Sequence, residues 1–139
     1  MTMEAKTISL VQESFEKVKP IASTAAEIFY KKLFELDPAL KELFPSSDDA
    51  MAVQGNKLMS MLSSAVAGLN NLDMLVPILQ NLGKRHVEYK VEPFHYDTVG
   101  AALLDTLAAG LGDDFTPEVK EAWATVYGTM ASVMIEASY

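Results

Sequence analysis

Cysteine is absent from this chain of 139 residues, so no disulfide can staple it and stability must come from burial. Half the residues are hydrophobic, enough for one domain, residues 1–139, around a single core. No segment alternates apolar and polar residues long enough to make a strand, and no internal repeat or low-complexity stretch interrupts the chain. No run approaches the roughly 18–20 apolar residues that span a bilayer. Met1 to Lys6 lack the basic-then-apolar order of a signal peptide. No membrane insertion is therefore expected, and the expected location is cytoplasmic. Basic residues are scarce as well: 11 Lys and Arg stand against 19 Asp and Glu, a net charge of −8. Such a surface repels phosphate backbones and argues against nucleic acid as a partner. Asp48–Asp49 and Asp113–Asp114 sit beside turn residues and read as solvated helix entries, with a docking patch for a basic partner as the alternative.

What the chain does contain is helical spacing almost throughout. Ile8, Val11, Phe15 and Val18 form a first stripe, ended by Pro20. Ile21, Ile28, Phe29, Leu33 and Leu36 continue in a second helix to Asp37. Asp37-Pro38 reads as an N-cap and first helical residue, opening a short helix toward Phe44. After the capping-rich loop Pro45 to Asp49, a helix from about Ala50 carries Met51, Gln54, Leu58, Met61, Leu62, Ala65 and Leu69. Asn70-Asn71 breaks it, and a helix with Pro77 in or just before its first turn follows. Glu92-Pro93 opens another, with Tyr96, Val99, Leu103, Leu107 and Leu111 inside and Gly110 and Gly112 at its close. Thr116-Pro117-Glu118 starts the last helix, with Val119, Trp123, Val126, Tyr127, Met130, Val133 and Met134 facing inward. The expected class is all-α, about seven helices.

Polar residues on apolar stripes carry the functional information. His86 shares a helical face with Leu75, Leu79, Leu82 and Tyr89. A buried imidazole needs a partner for its nitrogens; a metal is one, and a backbone group in a satisfied core is the other. Gln54 sits where leucine would serve packing, and Tyr30 shares a face with Ala26, Leu33 and Phe34. Both can donate into a closed pocket, or each can cap a backbone carbonyl. His95, at a helix entry beside Pro93, reads as structural.

Together these segments resemble a known family. FYKKLFELDPALKELF from Phe29 to Phe44, QGNKLM from Gln54, RHVEYKVEPFHYDTVG from Arg85 and EAWATVYG from Glu121 are similar, in order, to bacterial single-domain haemoglobins and to the globin part of flavohaemoglobins. The resemblance implies a globin fold sandwiching one haem b (iron protoporphyrin IX), with His86 as proximal iron ligand through its far nitrogen. Phe44 would stack on the porphyrin, and Tyr30 and Gln54 would donate to a gas on the opposite side. Leu58 would form the apolar distal wall, and Leu82, Val91 and Val99 would pack on the macrocycle. Lys57 and Arg85 would meet the propionates, or remain solvated. Tyr96 falls where the family has a tyrosine near the proximal histidine. Gly55, opposite Ala26, falls where two helices cross closely.

One position departs from the flavohaemoglobin pattern: where that group has a glutamate bonded to the tyrosine and histidine, this chain has Ser138, with Glu136 the nearest carboxylate. The chain also ends at Tyr139, which leaves no length for flavin and nicotinamide domains, so the expected source of electrons is a separate reductase or a small reductant. The implied ligands are O2, NO and CO. Tight O2 binding is the expected function, nitric oxide dioxygenation with an external reductase the alternative. A cofactor-free helical interaction module is the remote third reading.

Overall fold

The computed structural model describes residues 4–44, 47–88 and 92–138. Among them are six α-helices and no strand: α1 Ala5–Val18, α2 Ala22–Leu36, α3 Asp48–Ala67, α4 Leu72–Glu88, α5 Pro93–Leu111 and α6 Pro117–Ser138. Seven helices are expected from the sequence. The seventh, opening at Asp37-Pro38, is instead a 3-10 segment, Pro38–Leu43, capped by the Asp37 carboxylate, which accepts the Ala39 N–H at 3.2 Å. Its cap chemistry is the one expected. The tighter winding suits a short link with few intrahelical bonds to gain.

Local chemistry sets the other boundaries. Pro20 has no N–H to continue α1, and the chain passes through the 3-10 turn Lys19–Ile21 into α2. Ile21 therefore lies in the turn and is exposed, as is Leu36, so neither extends the buried stripe of α2. The Ser47 hydroxyl accepts the Ala50 N–H at 3.1 Å, which starts α3 two residues earlier than the apolar stripe suggests. Pro77 lies inside α4 on its exposed side. Gly110 remains helical, and Gly112, at φ 56°, closes α5. The Thr116 hydroxyl accepts the Val119 N–H at 3.2 Å and caps α6, with Pro117 as its first residue.

The principal packing pairs are α2 on α5, α1 on α6, α4 on α6, and α2 on α3. Trp123 and Val11 are wholly buried where α1 meets α6. The Trp123 indole N–H donates to the Ser14 hydroxyl at 2.8 Å, and that hydroxyl donates to the Leu10 carbonyl at 2.7 Å, so the one polar edge of the largest core residue is satisfied. At the crossing of α2 and α3, a Cβ added to Gly55 would lie 3.1 Å from Ala26 Cβ. Those two small residues let the helices approach, as the resemblance implies. α3 packs on α2 and α1, whereas α4 packs on α6; α3 and α4 are not among the closely packed pairs of described residues.

Among the described residues, no helix is long and apolar enough to cross a membrane.

Candidate haem and gas site

An aromatic cluster is built from α2 and the segment after it. Tyr30 is 7% exposed. Its ring meets Phe29 and Phe44 edge-on, at centroid distances of 5.2 and 5.4 Å, and stacks on Phe34 at 6.1 Å. Each of these contacts restricts where the phenol can point. Burial pushes the Tyr30 hydroxyl up to about 12, while a hydrogen bond from the Gln54 side chain pulls it the other way. The phenol is thus neutral and able to donate through the whole physiological range. Gln54 is half-buried on α3, and Leu58, one turn further on, is half-buried against the core.

Helix α4 carries the imidazole. Leu75 and Leu79 are buried and Leu82 and His86 half-buried, which continues one stripe down the helix. His86 Nδ1 lies 2.7 Å from the Leu82 carbonyl oxygen. A carbonyl only accepts, so Nδ1 carries the proton and the ring lone pair belongs to Nε2, the atom a metal takes. Burial lowers the His86 pKa, with the Leu82 bond acting in the opposite sense, so the neutral ring is the form at neutral pH. Tyr96 of α5, itself 7% exposed, stacks on the imidazole at 6.1 Å and 27°.

Among the described residues, no group of three His, Cys, Asp or Glu side chains could hold a bare metal ion. An ion at His86 must therefore bring its other ligands with it. A tetrapyrrole supplies four in a plane, and a flat apolar macrocycle suits half-buried Phe44, Leu58, Leu82 and Val99. The residues present fit haem.

The remaining expected site residues divide. Lys57 and Arg85 are both exposed, consistent with the solvated alternative as much as with the propionates. Val91 and Tyr89 lie outside the described residues, as do Pro45 and Ser46 of the loop. His95 Nδ1 accepts the Glu92 N–H at 2.9 Å and closes the start of α5, a structural role as expected.

The roles of two supporting residues, Gly83 and Tyr127, escape sequence reasoning. Gly83, one turn before His86, lies where a Cβ would come within 2.9 Å of Met134 Cα and closer still to its carbonyl oxygen, so α4 and α6 touch backbone to backbone there. The Tyr127 hydroxyl donates to the Tyr96 carbonyl at 2.6 Å, and its ring covers Gly100, whose added Cβ would lie 2.8 Å from it. Tyr127 is thereby held against the helix that carries Tyr96. Burial, then the neighbouring Tyr96 and Asp97, push its phenol well above the ordinary range. Ser138, where the flavohaemoglobin pattern has glutamate, has a buried hydroxyl without a hydrogen-bond partner among the described residues, close to Gly83.

The chain is similar to the flavohemoprotein of Bacillus subtilis (strain 168), 27% identical over 96% of this chain and 33% of that protein. It is likewise 30% identical to the flavohemoprotein of Rhodopirellula baltica over the same shares, and 26% identical to that of Vibrio cholerae over 93% of this chain and 33% of that protein. The chain thus spans about a third of the length of these relatives. The family model described as Globin matches residues 27–134. With that match over most of its length, and with a helical core flanking a single imidazole, the chain belongs to the globin family.

Proposed function

We propose that this haem-binding globin binds O2 tightly, and that Tyr30 and Gln54 are the residues that make it do so. When bound, haem supplies a ferrous iron with an open position for a diatomic gas, to which electron density passes. The observation that carries the reading is the pairing of a buried, neutral phenol with an amide on the next helix. The amide beside the phenol lowers its pKa against the larger effect of burial. Each of these two side chains carries a proton it could donate to a gas bound at the iron. On the other side, His86 acts as a neutral ligand whose orientation is set by the Leu82 carbonyl and the Tyr96 ring.

A hydrogen bond to a group bearing charge contributes about 1.5–3 kcal/mol, which is about one to two powers of ten in a dissociation constant. O2 takes on more negative charge than CO, so it gains more from such a donor. Phe29, Phe34 and Phe44 surround the phenol with apolar surface and strengthen that bond by excluding water. In stopped-flow mixing of the reduced protein, Tyr30→Phe is expected to release O2 about tenfold or more faster than the natural chain, with a much smaller effect on CO. An unchanged O2 dissociation rate contradicts the role of Tyr30.

The flavohemoprotein relatives favour a second reading. Their name joins a flavin to haem, and a flavin-bearing reductase acting on this globin would supply its electrons. The reaction is then nitric oxide dioxygenation, in which NO and O2 combine with one electron to give nitrate. Tyr30 and Gln54 would orient the O2 for attack. Sustained NO consumption with an added flavin reductase favours this reading, whereas a single turnover followed by arrest favours gas binding alone.

A further inference from the structure

From Met74 to Leu79, helix α4 is an unbroken run of apolar residues. Wound into a helix, such a run is apolar on every side, and helices of that kind are covered on every side. Only the inner side is covered within one copy of the chain. Leu75 and Leu79 are buried against the core, whereas Met74 is 69% exposed and Ile78 50% exposed. These two lie one turn apart with Pro77 exposed beside them, so the three make one continuous patch.

The two ends of this outer face carry opposite charge. Asp73 stands at the N-terminal end, Lys84 and Arg85 stand at the C-terminal end, and all three are exposed. Gln80 and Asn81, between the patch and the cations, are exposed and neutral. Asp73 and Lys84 are eleven residues apart, about three helical turns, so they share a face roughly 16 Å apart along the axis. The midpoint between them falls at Ile78. The ion pairs among the described residues are made by Lys6, Lys17 and Lys19 and involve none of these three side chains.

A face that is acidic at one end, basic at the other and apolar between is complementary to itself turned end over end. Under a two-fold axis, Asp73 of each copy meets Lys84 of the other, and the apolar patches meet at the centre. The net charge of −8 sets two copies against each other in most orientations, and in this one the charges attract. We propose that the outer face of α4 is an interface between two copies of this chain, packed antiparallel about a two-fold axis beside Ile78. The apolar centre supplies the affinity, and the end charges fix the register. The patch is short, so the dimer belongs with the interfaces smaller than about 1,200 Å² and forms at high protein concentration. It brings the two helices that carry His86 side by side.

The test is sedimentation equilibrium of the full hemin-loaded chain at low salt, over concentrations rising into the millimolar range. The natural chain is expected to pass from monomer to dimer. Ile78→Asp is expected to stay monomeric throughout with an unchanged visible spectrum. Asp73→Lys and Lys84→Asp are each expected to weaken dimerisation about tenfold or more, because like charges then meet at both ends. An equimolar mixture of those two variants is expected to regain the dimer, as one copy of each, since every altered end now faces its opposite. A natural chain that stays monomeric overturns the interface, whether or not the same face binds anionic vesicles or a flavin reductase instead. A dimer that survives Ile78→Asp overturns it too, and a mixture no better associated than either variant alone overturns the antiparallel register.

Discussion

Tyr30 shows how much of the site's chemistry is decided by the surroundings of one side chain. In water a phenol loses its proton near 10; here burial holds it up to about 12. The folded chain therefore grips this proton more tightly than the unfolded chain does. The stability so contributed is complete below about pH 10 and is lost as pH rises toward about 12. In an alkaline titration of the haem-free protein, followed by phenolate absorbance alongside helical signal, Tyr30 is expected to ionise only as the fold begins to loosen. A Tyr30 signal that titrates at the ordinary value with the fold intact contradicts the buried, donating phenol. His86 differs in kind: its burial lowers its pKa, which favours the neutral ring a metal requires.

Between helices, the contacts that position the site are made by the smallest residues. Gly55 against Ala26 brings the Gln54 helix onto the Tyr30 helix, and Gly83 against Met134 brings the His86 helix onto α6. The two differ in tolerance. At Gly55 the neighbour is a side-chain methyl, which a small shift accommodates; at Gly83 it is backbone, which cannot yield. Gly83→Ala is expected to cost about 1–3 kcal/mol in urea unfolding, the range for overpacking a tight contact, and to weaken hemin retention because His86 lies one turn away. Unfolding at the same midpoint as the natural chain contradicts the close contact of α4 and α6. The first crossing was legible in the sequence and the second was not. Gly55 sits beside Gln54 within a segment whose resemblance names a crossing, whereas Gly83 touches a residue far along the chain and leaves no local period to read. Tyr127 escaped for the same reason. It lies on the inward stripe of α6, and nothing in that stripe tells that its hydroxyl reaches the Tyr96 carbonyl. The 3-10 form of Pro38–Leu43 was beyond reach too, since capping residues mark where a short helix starts but not how tightly it winds.

For the whole molecule, an acidic helical shell is folded around a core whose polar exceptions are of two sorts. Ser14, Thr106 and the Trp123 indole are satisfied within the core and contribute to packing alone. Tyr30, Gln54 and His86 stand on two packed helix pairs, α2 with α3 and α4 with α6, and no cluster of described residues there could hold a bare ion. Haem bound there ties those helix pairs together and adds its binding energy to folding. The account depends above all on His86 Nε2 as the protein's bond to iron. The direct measurement is the visible and near-ultraviolet spectrum of the hemin-reconstituted chain after desalting, for the natural protein and for His86→Gly, with and without added imidazole. The natural chain is expected to retain hemin with the spectrum of a histidine-ligated haem. The variant is expected to lose that spectrum and to regain it when free imidazole fills the gap. Hemin lost from the natural chain on desalting, or a variant whose spectrum equals that of the natural chain without imidazole, would contradict the account.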